Sequence, residues 1–185
     1  MKWLKFFLVI VTISVRAQVV ADFSLPNVVD GKTIHLRDYL KHAGVVVIFV
    51  SYDCPFDKYY MDRILKIAET YKTTFPVVLI NSNSDEVESG ELLKNYLVQQ
   101  KITIPYLLDK NQIELKTFNA HKTPECFVLK NTGQKFTVVY RGAIDDSPQS
   151  AADVREAYLT DAIEKVLAGQ RIEVAEHRPP GCSIR

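Results

Sequence analysis

"VVVIFVSYDCPFDKYY", Val45 to Tyr60, decides how this chain is read. Its first six residues are apolar without a break and mostly β-branched, the pattern of a central strand buried on both faces. After Pro55 the period changes. Tyr60, Ile64, Ile67 and Tyr71 fall at i, i+4, i+7 and i+11, one face of a helix. Cys54 therefore sits at the join of a buried strand and a helix, with Pro55 suited to the first helical turn, where its missing N–H costs nothing. A helix start offers free N–H groups and a partial positive charge. Both favour thiolate over thiol, and such placement lowers a cysteine pKa into a range of roughly 3.5–7.5. Lys58 adds positive charge one turn along, while Asp53 and Asp57 act in the opposite direction. The other reading of Cys54 is a buried core thiol; its polar flanks argue against that. Asp57 stands where a dithiol motif would carry its second cysteine.

Further elements extend outward from this junction. Upstream, "NVVDGKTIHL" predicts a hairpin, with Val28–Val29 and Thr33–Ile34 flanking the Asp30–Gly31 turn dipeptide. "RDYLKHAG" reads as a short helical or irregular connection. Downstream, "PVVLI" is a second buried strand, "NSNSDEVESG" a solvated polar loop, and Leu92, Leu93, Tyr96 and Leu97 mark an amphipathic helix. "PYLLDK" and "IELKTFNA" follow as a short strand and a short helix. "ECFVLK" and "FTVVYRG", separated by Asn131 and Gly133, form a second hairpin. A last helix is predicted from about Ser150, where Ser150 and Asp153 have capping-box spacing, to Gly169. The polar tail "QRIEVAEHRPPGCSIR" is expected to be irregular and mobile. Strand–helix–strand units require parallel pairing, and a closing hairpin adds antiparallel edge strands. The fold class is α/β: a central mixed β-sheet flanked by helices.

The N-terminus carries Lys2 and Lys5, then the ten apolar residues "FFLVIVTISV", then Val15 and Ala17 at cleavage-site spacing. This is the pattern of a secretory signal peptide over residues 1–17. The run is shorter than the roughly 20 apolar residues that span a bilayer, so no membrane span is expected in the mature chain. The remaining chain divides into a domain over residues 18–170 and a tail over 171–185, exported to a periplasmic or extracellular space. There disulfides persist. Cys54, Cys126 and Cys182 make an odd set, which leaves at least one thiol unpaired or reactive.

Composition excludes several chemistries. A net charge of +1 leaves no electrostatic footprint for nucleic acid. His35, His42, His121 and His177 are scattered, and no Cys or His pair has zinc-site spacing. None of the seven glycines forms a phosphate-cradling loop. The expected chemistry needs no metal and no bound cofactor.

A second motif is "KTPECF". Thr123–Pro124 falls directly before a strand, where proline is tolerated; from the residues alone this is a trans loop proline or, less often, a cis one. The strand–"CP"–helix junction, the later "TPE", the element order, "YRGAIDD" and "RPPGCSI" together resemble the thioredoxin-like superfamily. Within it they are similar to the redoxin group related to alkyl hydroperoxide reductase and thiol-specific antioxidant proteins. The resemblance spans about Asp22 to Arg185. It implies a thioredoxin-like fold, a nucleophilic Cys54, a cis Pro124 facing it, and Thr123 offering main-chain groups to an extended substrate. The pattern of peroxiredoxins proper is met only in part: Ser51 supplies the hydroxyl three positions before the cysteine, but Val47 stands where a proline would be. Arg141 and Arg155 are candidates to assist a peroxide or a thiolate.

Cys182 is the candidate resolving thiol; its alternatives are a free surface thiol or an intermolecular bridge. Cys126, among apolar neighbours, reads as a core residue, with a third exchange thiol as the alternative. His121 and Glu125 are auxiliary candidates for proton transfer, each also explained by solvation at a loop or strand edge. The function these readings imply is an exported cysteine-based oxidoreductase that acts on a protein or small-molecule disulfide, or on a peroxide, with an external thiol as reductant. The alternative is a non-catalytic thioredoxin-fold protein that holds a peptide or an assembly partner.

Overall fold

The computed structural model describes residues 18–84 and 91–185. The expected signal peptide, and most of the acidic loop after Ser84, lie outside the described residues. In chain order the strands are β1 (Val19–Val20), β2 (Ser24–Pro26), β3 (Thr33–His35), β4 (Gly44–Phe49), β5 (Val77–Asn81), β6 (Tyr106–Leu108), β7 (Lys122–Thr123), β8 (Glu125–Asn131), β9 (Phe136–Gly142), β10 (Glu176–His177) and β11 (Cys182–Ser183). The helices are α1 (Pro55–Tyr71), α2 (Glu91–Gln99), α3 (Ile113–Phe118) and α4 (Tyr158–Leu167).

The sheet runs β1-β9-β8-β4-β5-β6, with β10 also pairing β9. β4, β5 and β6 are mutually parallel, as their helical crossovers demand. The β8–β9 hairpin docks antiparallel with β8 against β4, so β8 lies inside the sheet rather than at its edge. The unbroken apolar run of β4 is explained by its two faces. Val46 and Ile48 point into a layer with Tyr60 and Ile64 of α1, Leu93 and Leu97 of α2, and Leu159 and Ile163 of α4. Val45, Val47 and Phe49 point into the other, with Phe118 of α3, Phe127, Leu36 and the β2–β3 hairpin. All five are fully buried, and each such aliphatic or aromatic side chain contributes about 1.5–3 kcal/mol of burial. This is the α/β fold, thioredoxin-like, with a mixed central sheet flanked by helices.

Three elements differ from their sequence expectations. The first hairpin pairs Ser24–Pro26, not Val28–Val29, with Thr33–His35. Asn27 is the reason: its Oδ1 accepts the N–H of Val29 and, across the fold, that of Tyr106 in β6, while its Nδ2 donates to Asp30. That residue opens the turn early and fastens it to the sheet.

The last helix starts at Tyr158, not near Ser150, whose side chain makes no cap. The Asp146 carboxylate instead accepts the N–H groups of Arg155 and Glu156 at 3.0 and 3.2 Å. Only a short 3-10 turn, Ala151–Asp153, forms at the expected start, and the Asp146 interactions close the loop after it.

Residues 171–185 are irregular for most of their length, but two short strands tie them to the domain. β10 lies parallel to β9, and β11 pairs antiparallel with β7. Gly142 permits the first pairing: its φ is +120°, and a Cβ there would stand 1.8 Å from the His177 carbonyl oxygen. The His177 ring stacks on Tyr158 at 3.7 Å between centroids.

Glu114 of α3 is buried beside two other carboxylates. Burial, with Asp109 and Asp22 nearby, pushes its carboxyl up to about 7. A raised carboxyl pKa means that the folded state holds a proton that the unfolded chain releases near its ordinary value of 4.5. Stability therefore falls as pH rises from about 4.5 to about 7 and levels off above that. Glu114→Gln should flatten this decline, read as urea midpoints at acid and at neutral to alkaline pH.

Candidate functional site

Cys54 is the N-cap of α1, in extended conformation, with Pro55 at the first helical position. The strand before it delivers the sulfur to the helix start. Cys54 is 2% exposed. Beneath it lies Asp57, also buried, whose Oδ2 accepts the N–H of Ser51 at 3.2 Å. Ser51 Oγ in turn accepts the N–H of Asp53. Where a dithiol motif would hold a second sulfur, this chain thus has a carboxylate that fixes the turn between β4 and α1. Lys58 lies over the Tyr52 ring, its Nζ 5.5 Å from the centroid.

Cys54 is joined to Cys182 by a disulfide, with Cα atoms 6.0 Å apart across a sequence separation of 128. The partner sulfur arrives on β11, whose Cys182 lies opposite Thr123 and whose Ser183 lies opposite Lys122. The Thr123–Pro124 peptide bond is cis. Cys54 Sγ stands 3.5 Å from the Thr123 carbonyl oxygen. The "CP" and "TPE" motifs and the tail cysteine thus meet at one point. A polar cavity of about 230 Å³ opens beside the disulfide, lined by Ser51, Asp53, Pro55, Asn83 and Ser183 among others.

The β7 edge is held from behind. Glu125, 2% exposed, accepts the N–H groups of His121 and Lys122 on one oxygen, at 2.8 and 3.2 Å. Its other oxygen takes Arg141 at 2.7 Å, and Arg141 also donates to the Asn119 carbonyl. Glu125 is therefore a brace for the loop that carries Pro124. His121 contributes its main chain to this brace, and the residue is exposed. Arg155 is exposed too, and its N–H serves Asp146. Cys126 is fully buried, near the Gly142 and Ala143 carbonyls, and burial pushes its thiol well above the ordinary range. A neutral thiol packed in the apolar layer is a core residue.

The far end of the tail has its own clamp. Arg185 N–H donates to Asn83 Oδ1 at 3.0 Å. Its main-chain oxygen accepts from Gln112 Nε2 at 2.8 Å and from Ser84 N–H at 3.2 Å. Gln112 sits at φ +54°, a left-handed conformation that costs a non-glycine residue about 1–2 kcal/mol. Its amide also reaches the Ser82 carbonyl. Sequence reading missed Arg141 as the partner of Glu125, and missed Asn83, Ser84 and Gln112 altogether. No spacing rule marks residues that meet only through loops.

Residues 17–156 match the AhpC/TSA family, and the chain belongs to it. No curated protein matches the sequence. Among solved structures, a hypothetical protein from Sinorhizobium meliloti is 29% identical, with a TM-score of 0.80 over 91% of this chain and 92% of that one. An uncharacterized conserved protein from Geobacillus kaustophilus is 30% identical, with a TM-score of 0.79 over 91% and 90%. The pneumococcal exposed lipoprotein thioredoxin Etrx1 from Streptococcus pneumoniae, 23% identical over 78% of this chain and 99% of its own, shares the fold with a TM-score of 0.60. Family membership supports a thiol-based redox function.

The Glu125–Arg141 pair is buried on the carboxylate side and one-fifth exposed on the other. Removing one partner leaves the second charge uncompensated, at a cost of about 3 kcal/mol. Arg141→Ala should lower stability by about that much in denaturant unfolding. Adding Glu125→Gln to that variant should recover part of the loss.

Proposed function

We propose that this member of the AhpC/TSA family is an exported oxidoreductase in which Cys54 is the nucleophile and Cys182 the resolving thiol. The observation that carries the reading is the disulfide between a helix-capping cysteine and a tail cysteine laid along the cis-proline strand. In the reduced protein the Cys54 thiolate is favoured by the free N–H groups at the start of α1. It attacks a substrate disulfide, forms a mixed disulfide and expels one substrate thiolate. Cys182 then attacks the Cys54 sulfur, releasing the second substrate thiolate and closing the Cys54–Cys182 bond. An external thiol returns the pair to the reduced state. Thr123 and Pro124 shape the groove in which the exchange takes place. Residues 1–17 serve as the signal that exports the chain, and 171–185 as the segment that brings Cys182 to the domain.

Family membership favours a second substrate class, a peroxide. The same thiolate would attack the peroxide oxygen, leaving an alcohol or water and a Cys54 sulfenic acid. Cys182 would then condense with that acid, releasing water and forming the same disulfide. His121 is retained as a proton donor only for this second reading. Among the described residues no helix is long and apolar enough to cross a membrane.

Intact-mass analysis of Cys182→Ser decides between the substrates. Treated with a peptide disulfide, it should accumulate a stable adduct on Cys54. Treated with hydrogen peroxide, it should gain one oxygen there if peroxide is also a substrate. Neither adduct nor oxidation at Cys54 in either treatment would sink the enzymatic reading and leave a binding protein.

A further inference from the structure

The tail is held as a ligand is held. We infer, building on the reading above, that residues 181–185 occupy the protein's own substrate slot and that the slot selects an extended cysteinyl polypeptide segment of the pattern Gly–Cys–polar–aliphatic.

Each position of the segment makes a distinct contact. Cys182 and Ser183 pair with Thr123 and Lys122 through the main chain, a form of recognition that supplies affinity without reading sequence. Sequence is read on either side. Gly181 stands at φ +133°, and a Cβ on it would lie 2.0 Å from the Thr123 carbonyl oxygen. That oxygen belongs to a braced strand, so the slot admits no side chain before the cysteine. Ile184 packs against the apolar layer that holds Phe118 and Phe127, and its N–H donates to the His121 carbonyl. The slot therefore takes an aliphatic group two residues after the cysteine. Ser183 is exposed, and among the described residues its hydroxyl meets only Lys122 Nζ, at 3.1 Å; this position reads little beyond polarity. The main chain of residue 185 is gripped by Asn83 and Gln112, contacts open to any residue at that place.

Of these contacts only the disulfide is covalent, and a mixed disulfide with substrate puts the same bond on the same Cys54 sulfur. Once the disulfide is reduced, the tail is joined covalently to the domain through residues 178–181 and β10, and its hold on the slot is non-covalent. A segment of another polypeptide then takes its place in the same hydrogen-bonding frame.

The test uses the full-length Cys182→Ser protein and the octapeptide Arg-Pro-Pro-Gly-Cys-Ser-Ile-Arg, with its cysteine as the mixed disulfide with thionitrobenzoate. Cys54 attacks the peptide sulfur and expels coloured thionitrobenzoate, so the rate is read by absorbance. The protein's own tail competes equally with every peptide, and rate ratios are unaffected by it. The parent peptide should react at least tenfold faster than the peptides carrying Gly181→Ala or Ile184→Asp. The Ser183→Glu peptide should stay within about twofold of the parent. Equal rates for all four, or reaction with dithiobis-nitrobenzoate but with no peptide, would overturn the proposal. Failure of dithiobis-nitrobenzoate itself to react would instead overturn the nucleophilic role of Cys54 on which it rests. Circular dichroism checks that the variant is folded. Should it not be, the same ratios are measured on the reduced wild-type protein, where ratios near one again overturn the proposal.

Discussion

The buried Glu125 carboxylate is the constraint on which the site depends. It sits at the first residue of β8, a strand fixed on both sides by β4 and β9. A charge in that position needs compensation from all directions, and three donors supply it: Arg141 and the N–H groups of His121 and Lys122. Two of those donors are main chain. Satisfying the carboxylate therefore sets the path of residues 121–125, and with it the edge of β7. The pairing with Cys182 and the approach of the tail to Cys54 follow from that edge. A strand of two residues has little cohesion of its own. It works here because a rigid sheet positions one side of it through a single side chain.

The electrostatic setting of Cys54 is mixed in a way that its sequence position only hints at. The helix start favours a thiolate, but the buried Asp57 carboxylate lies one turn into the same helix. Asp57 accepts the Ser51 N–H and so locks the strand-to-helix turn. A second thiol at this position would offer local exchange within one helical turn. With a carboxylate there, the oxidised partner comes from 128 residues away. Closing a loop of that length restricts the unfolded chain far more than a local dithiol bond does. Redox state and fold stability are thereby linked in this chain more tightly than in a local dithiol arrangement.

Legibility in the sequence tracked the range of the interaction. Val45–Val50 and the Tyr60–Tyr71 face could be read because period and burial are local properties that one segment records by itself. The Cys54–Pro55 junction could be read for the same reason. Ser150 and Asp153 misled because a local capping pattern lost to a carboxylate several residues away, Asp146, which captured the N–H groups of Arg155 and Glu156 first. The tail misled because two-residue strands are too short to show alternation; Gly142 and Gly181, the glycines that admit them, look like ordinary loop residues until the opposing carbonyl is known. Gln112 carries no signal at all. A glutamine in left-handed backbone is disfavoured in isolation, and its side chain finds partners only when residues 82 and 185 are brought beside it.

The tail's construction reconciles two demands that oppose each other. In the proposed exchange, resolution requires Cys182 to stay near Cys54, whereas reaction with another polypeptide requires it to step aside. β10 meets the first demand: it is bonded to β9, and His177 stacks on Tyr158, so the base of the arm is fixed to the domain. Beyond it come Arg178, Pro179, Pro180 and Gly181. Two prolines hold φ near −65°, which keeps the arm extended and limits the volume that its end explores. Gly181, next to the cysteine, is the one unrestricted joint. A short stiff arm on a fixed base confines a sulfur to a small region and so keeps its effective concentration high. A single free joint beside the sulfur lets the last residues peel from Thr123 without disturbing the base.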